Sequence, residues 1–222
     1  MKILFVGNSF TYVNDLPETL RRLAAANGME WETVMVARGG WYLSRFAFND
    51  DEPAARLRET YARGGWDYIV LQDQSFNPAG NPEDFRKGAR ALRKMMPMGR
   101  LIMYQTWAYA DGSENLTGVG MDYATMRDKL AESYQAMAEE LGGQTARVGS
   151  AFSLCRAVEP EINLYSEDGK HPSPAGTYLA ACVFYECIAG RAPGADGEME
   201  GLDAATKQKL RRVAAACGAS AD

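Results

Sequence analysis

Histidine is almost missing from this chain of 222 residues: there is one, His171. Any imidazole chemistry therefore has a single possible seat, and a zinc centre built on histidines is disfavoured. Cysteine is scarce too. Cys155, Cys182, Cys187 and Cys217 show no C-x-x-C spacing and read as buried free thiols, not as a ligand set or a disulfide framework. No apolar run approaches the length that spans a bilayer. The apolar run after Lys2 is Ile3 to Val6, too short for a secretory signal, so a cytoplasmic location is expected. Nor is positive charge in excess. Lys and Arg number 24 against 29 Asp and Glu, a net charge of −5, which argues against a nucleic-acid partner. Internal repeats and low-complexity tracts are absent from the sequence.

What is present is an ordinary globular composition, 46% hydrophobic and 24% charged. The length suits one large domain, residues 1–222, with a sizeable core. Strand-like apolar runs alternate with amphipathic stretches. Strands are predicted at 2–6, 31–37, 67–72, 100–107 and 144–149, and helices at 16–28, 52–65, 82–96, 123–143, 173–190 and 202–218. Continuous apolar strands separated by helices indicate an α/β fold with a parallel sheet covered on both faces. The Gly-rich stretch 110–122 has no apolar period and reads either as a lid or as a surface loop; 190–201 reads as a surface connection.

Open parallel sheets bind ligands beyond the carboxyl ends of their strands, where strand order reverses. In the order 2-1-3-4-5 that point lies between the first and third strands. Residues just past the strands are then the candidates: Gly7, Asn8 and Ser9; Arg38, Gly39 and Gly40; Gln72, Asp73, Gln74 and Ser75; Gln105, Thr106 and Trp107. Late in the chain comes "EDGKHPSPAG", with Asp168 and His171. Acyl transfer needs an activated hydroxyl, a base, an orienter for that base and oxyanion donors. Ser9, His171, Asp168, and Gly40 with Gln74 supply one of each. Each has a plainer reading as well. Ser9 or Thr11 can cap a helix, Asp168-Gly169 can simply turn the chain, and Ser173-Pro174 can open the following helix.

The sequence resembles the SGNH, or GDSL-type, hydrolase superfamily, through "FVGNSFT" after the first strand and "DGKHPSPAG" near the end, within a branch that reads "LQDQS" after the third strand. The resemblance runs from Gly7 into the helix after His171. It implies a three-layer α/β/α sandwich with a mostly parallel five-stranded sheet in flavodoxin-like order. It also implies a Ser-His-Asp triad of Ser9, His171 and Asp168 acting through an acyl-enzyme, with no metal or cofactor. The oxyanion hole implied is the Ser9 N–H, a glycine N–H from Gly39 or preferably Gly40, and a third-block amide. That block departs from the family's G-x-N-D: Gln74 stands where the Asn would be, one methylene longer, with Gln72 a second possibility. Asn8 stands where the family often has Asp.

The resemblance implies an ester or thioester hydrolase without naming the ester. Aromatic and polar residues near the strand ends, among them Trp41, Tyr42, Gln105, Trp107 and Tyr109, suit sugar rings. The expectation is a small-molecule ester substrate, an O-acetylated carbohydrate, contacted by Asn8, Trp41, Gln72 and Trp107. Two alternatives stand beside it: a lipase-like or thioesterase relative with the same triad, and a non-catalytic carbohydrate-binding domain of the same fold.

Overall fold

The computed structural model describes residues 1–219. Five parallel strands form one sheet in the order β2-β1-β3-β4-β5: β1 Lys2–Gly7, β2 Glu32–Ala37, β3 Tyr68–Leu71, β4 Arg100–Tyr104 and β5 Gln144–Ala146. The central strands β1, β3 and β4 are buried along nearly their whole length, whereas edge strand β2 is only half-buried. This burial on both faces is why the central strands read as unbroken apolar runs. In register, Gly7 pairs with Ala37 and Val6 with Leu71, so the ends of β1, β2 and β3 lie side by side.

The helices are α1 Ser9–Tyr12, α2 Leu16–Ala26, α3 Leu43–Phe48, α4 Glu52–Ala62, α5 Asn77–Gly80, α6 Pro82–Met95, α7 Glu114–Gly118, α8 Tyr123–Glu140, α9 Val148–Val158, α10 Pro174–Ala189 and α11 Ala204–Ala219. One layer holds α2, α9, α10 and α11; the other holds α3, α4, α6 and α8. The apolar α10 is the keystone of the first layer. Its Phe184 packs edge-on against Phe5 of β1 and Tyr104 of β4, with ring centroids 5.4 and 4.9 Å apart. In the second layer Phe85 of α6 meets Tyr134 of α8 at 4.9 Å. No helix among the described residues is long and apolar enough to cross a membrane.

Several element boundaries differ from the sequence expectation. β4 stops at Tyr104 instead of Trp107, because its partner β5 ends at Ala146; the last link is Gln105 N–H to the Ala146 carbonyl. Residues 148–149, expected to end the fifth strand, instead open α9. The 110–122 stretch contains α7, capped by Ser113, whose hydroxyl accepts the Leu116 N–H. The 190–201 connection is fastened by Asn27, whose Oδ1 accepts from the Gly194 and Ala195 backbone N–H groups.

Candidate active site

The first strand runs directly into the turn that carries Ser9. Asn8 caps α1, its Oδ1 accepting the Phe10 N–H at 3.1 Å. Ser9 is thus the first residue of a one-turn helix, half-buried, with its side chain at the strand end. The reason for glycine at position 7 is contact. A Cβ there would meet Gln72 Oε1 and Thr11 Oγ1, each at 2.5 Å. Gln72 fills the space left open. Its Oε1 accepts from Asn8 N–H and from the Thr11 hydroxyl, both at 2.9 Å, and its Nε2 donates to Asn8 Oδ1 at 3.0 Å and to the Asp73 carbonyl.

His171 approaches from the other end of the chain. Its Nε2 lies 2.8 Å from Ser9 Oγ and its Nδ1 2.5 Å from Asp168 Oδ2. The other Asp168 oxygen accepts the Lys170 and His171 N–H groups, both at 2.9 Å. Burial pushes the Asp168 carboxyl upward, but these N–H bonds and the imidazole outweigh it and hold it below the ordinary carboxylate range. Ser9, more than 150 residues before Asp168 and His171 in sequence, thus forms one hydrogen-bonded chain with them.

The turn that presents His171 is braced on every side. A bridge between Tyr165 and Pro172 closes it. Trp107 Nε1 donates to the Lys170 carbonyl at 3.0 Å, Ala110 N–H to that of Gly169 at 2.8 Å, and Asn115 Nδ2 to that of Asp168 at 2.8 Å. The 110–122 stretch is therefore docked against the histidine turn as a buttress. Asn14 ties the turn to the Ser9 segment, its Nδ2 donating to the Pro172 carbonyl and to Thr177 Oγ1, both at 3.0 Å. Asn14 and Asp15 sit at φ 55° and 49°, a left-handed conformation that Asn and Asp tolerate better than most residues.

Gly40 follows β2 with φ +68°, where a side chain would be strained. Neither the Ser9 nor the Gly40 backbone N–H donates to an acceptor among the described residues. At neighbouring Gly39 a Cβ would meet the Tyr12 hydroxyl at 2.9 Å. Gln74 is half-buried, and its Oε1 accepts the Phe76 and Asn77 N–H groups at 2.9 and 3.0 Å. That fixes the amide by its oxygen and leaves Nε2 beside Ser75 Oγ, at 3.4 Å, and the Tyr109 hydroxyl. Beside Gln74 lies an open cavity of about 470 Å³, lined by Tyr42, Ser44, Arg45, Phe76, Asn81 and Asp84 among others. A cavity of similar size, about 480 Å³, lies by Gln144, Arg147, Glu186 and Cys187 and contains none of the residues above.

None of the four expected substrate contacts, Asn8, Trp41, Gln72 and Trp107, lines the cavity beside Gln74. Asn8, Gln72 and Trp107 are 2%, 1% and 1% exposed. The amides of Asn8 and Gln72 are spent on each other and on nearby backbone, Asn8 Nδ2 reaching the Trp41 carbonyl at 3.0 Å. Trp107 is stacked between Phe10 and Phe152, with centroids 4.5 and 4.1 Å away. Trp41 is also buried, edge-on to Phe46 at 5.0 Å. Their place is beneath the site, as support. Sequence reading passed over Asn14, took Thr11 only as a possible helix cap, and collected Asp73 past the third strand without giving it a role. The signal for the last was a run of polar residues directly at the end of a fully buried strand, where each buried polar group must find a partner.

No protein-family model and no curated protein matches the chain. Solved structures do. A protein from Slackia heliotrinireducens assigned to the SGNH hydrolases is 32% identical, over 85% of this chain and 98% of its own, with TM-score 0.75. A DUF4886-family protein from Bacteroides uniformis has TM-score 0.86 at 21% identity, over 99% and 95% of the two chains. A variant of an acetyl-xylooligosaccharide esterase from Geobacillus stearmophilus has TM-score 0.62 at 16% identity, over 84% and 93%.

Proposed function

The chain belongs to the SGNH hydrolase family, and from that premise we propose that it is a serine esterase that removes O-acetyl groups from carbohydrate. The observation that carries the proposal is the Ser9–His171–Asp168 hydrogen-bond chain, at 2.8 and 2.5 Å. Ser9 Oγ attacks the ester carbonyl carbon while its proton passes to His171 Nε2. Asp168 accepts from Nδ1–H and stabilises the imidazolium that forms. The tetrahedral oxyanion is held by the Ser9 N–H, the Gly40 N–H and Gln74 Nε2. Its collapse breaks the bond to the alcohol, which leaves with the proton from His171. Water then attacks the acyl-Ser9 along the same proton path and restores the free serine. The sequence needs no metal or cofactor.

The choice of a sugar ester rests on the cavity beside Gln74. Tyr42 and Phe76 offer aromatic faces there, and Ser44, Arg45, Asn81 and Asp84 offer polar groups, a mixture that suits a sugar ring better than an acyl chain. The acetyl-xylooligosaccharide esterase that shares the fold makes acetylated xylooligosaccharides the first substrates to try. The test is 4-nitrophenyl acetate and acetyl-xylooligosaccharide hydrolysis by wild type beside Ser9→Ala. Turnover by wild type, loss of at least ~10³-fold in Ser9→Ala, and a rate that falls as the acyl chain lengthens are the expected results. A Ser9→Ala protein as active as wild type refutes the esterase reading. A preference for long acyl chains refutes the acetyl assignment alone.

A further inference from the structure

Asp73 lies between the two segments that carry Gly40 and Gln74, yet it has no part in the proton path. Its side chain is wholly buried. One oxygen, Oδ1, accepts two backbone N–H bonds: from Leu43, three residues past Gly40, at 2.8 Å, and from Gln74 itself at 2.7 Å. The other, Oδ2, accepts from Asn77 Nδ2 at 2.8 Å. The Asp73 carbonyl accepts from Asn8 Nδ2 at 3.4 Å, and from Gln72 Nε2, so the Ser9 turn is joined to the same residue. All the groups that bond the carboxylate are neutral N–H donors, and no lysine or arginine among the described residues pairs with it.

A buried carboxylate without a countercharge is expensive to keep, and a neutral residue could have filled this space. What the carboxylate supplies is one acceptor atom strong enough to hold two N–H groups at short range. We propose that ionised Asp73 is a positioning residue for the oxyanion hole, holding the Gly40 loop and the Gln74 segment at a fixed separation, and that proton uptake by Asp73 loosens this clamp and lowers turnover. The inference rests on the serine-esterase reading. The ionisable groups that face Asp73 are Asp84 of α6, joined to it through the shared Asn77 amide, and Tyr134 of α8, whose hydroxyl accepts the Asp73 N–H at 3.2 Å. Neither favours its charge. Burial pushes the carboxyl up to about 6; the bonds from Asn77, Leu43 and Gln74 pull it down, and Asp84 adds a smaller push upward.

The test compares wild type, Ser9→Ala, Asp73→Asn and Asn77→Ala. The readouts are 4-nitrophenyl acetate kinetics from pH 5 to 9 and the rate of Ser9 labelling by a fluorophosphonate. In Asp73→Asn the oxygen that holds the Leu43 and Gln74 N–H groups becomes a neutral and weaker acceptor, and the new NH₂ faces that of Asn77. The expected result is kcat lower by about 10- to 100-fold with KM within about threefold, and slower labelling to match. The acid limb of wild type should fall more steeply than that of Asp73→Asn, since Asp73 takes up a proton there. Asn77→Ala removes one bond that favours the charged form, so its acid limb should move to higher pH. An Asp73→Asn enzyme with wild-type kcat, or a wild-type limb no steeper than that of Asp73→Asn, overturns the clamp alone. Should Asp73→Asn fail to fold, an unshifted limb in Asn77→Ala overturns it. A wild type that neither turns over ester nor labels at Ser9 refutes the esterase reading and the clamp with it.

Discussion

Gly7→Ala adds one methyl group at a point where two buried oxygens stand in its way. The new Cβ would lie 2.5 Å from Gln72 Oε1 and 2.5 Å from Thr11 Oγ1, roughly an ångström inside ordinary contact. Gln72 Oε1 is held by Asn8 N–H and the Thr11 hydroxyl, both at 2.9 Å, so it has no free direction in which to retreat. Displacing it breaks two hydrogen bonds worth about 1 kcal/mol each and leaves buried donors unpaired at a further ~1–3 kcal/mol. A net loss of about 3 kcal/mol is expected, or roughly 6–12 °C in melting temperature for a chain of this length. Ser9 lies two residues on, and displacing it by about an ångström would lower kcat by up to ~10²-fold. The assay is urea unfolding and ester turnover for Gly7→Ala, Gln72→Ala and the double variant. In the double variant the methyl group has room, so the two changes should couple by at least about 1 kcal/mol. A Gly7→Ala protein that melts with wild type, or a penalty undiminished in the Gln72→Ala background, would refute the argument.

Asn14→Ala removes the bond to the Pro172 carbonyl in the histidine turn and the bond to Thr177 of α10, and places alanine at φ 55°; a loss of about 2–3 kcal/mol by thermal melting and a lower kcat are expected, with Asn14→Gly recovering the backbone part only. Trp107→Phe keeps the ring stack but removes the Nε1 bond to the Lys170 carbonyl, so it should cost about 1 kcal/mol and loosen the His171 turn, read as a fall in kcat with little change in KM. Stability also carries a pH signature. The folded-state pKa of Asp73 is raised from 3.8 to about 6, so the folded form prefers the proton: that preference is fully stabilising below about 3.8 and is lost as pH rises through about 6, an effect of about 3 kcal/mol. Asp168, held low, works the opposite way, stabilising above the ordinary carboxylate pKa and losing this as pH falls. The melting temperature of Asp73→Asn relative to wild type should therefore climb between pH 4 and pH 7, and a constant difference would contradict it.

How much of this could be read from the sequence depended on the length of each pattern. β1, β3 and β4 are continuous apolar runs, and α2, α6 and α8 have room for several turns of helical period with caps at Asp15, Asn81 and Asp122; all were legible, whereas the strand order was expected from the family resemblance, since alternation alone does not give it. α1, α3 and α5 span four to six residues, too few to show a period. Their presence follows from tertiary contacts, such as α6 lying so close to α3 that a Cβ at Gly88 would meet Ser44 N at 2.4 Å. α9 was hidden for another reason: "VGSAFSLCRAV" follows a strand without a break and is apolar enough to pass as more of it. The aromatic residues misled for a reason of geometry. A tryptophan at a strand end can face the ligand or the layer below, and composition does not distinguish the two; Trp107 faces below, between Phe10 and Phe152.

The altered third block is better understood as one coupled change than as three separate losses. Where the family pattern has glycine, Gln72 brings a long side chain into the core, and the space it needs is the space that Gly7 leaves empty. Where the family pattern has Asn, Gln74 is longer by a methylene, and the extra length is taken up by bending back so that Oε1 caps the start of α5 through the Phe76 and Asn77 N–H groups. A free glutamine amide would lose more rotamer entropy than asparagine on being ordered; here the two N–H bonds have already fixed it in the folded state. Asp73 between them is pinned from both sides, by Leu43 and by the backbone of Gln74. Restoring only the family's Asn at position 74 would shorten the amide while leaving Phe76 and Asn77 N–H without their shared acceptor. That single reversion therefore works against the site it imitates, because the length of Gln74, the smallness of Gly7 and the reach of Gln72 depend on one another.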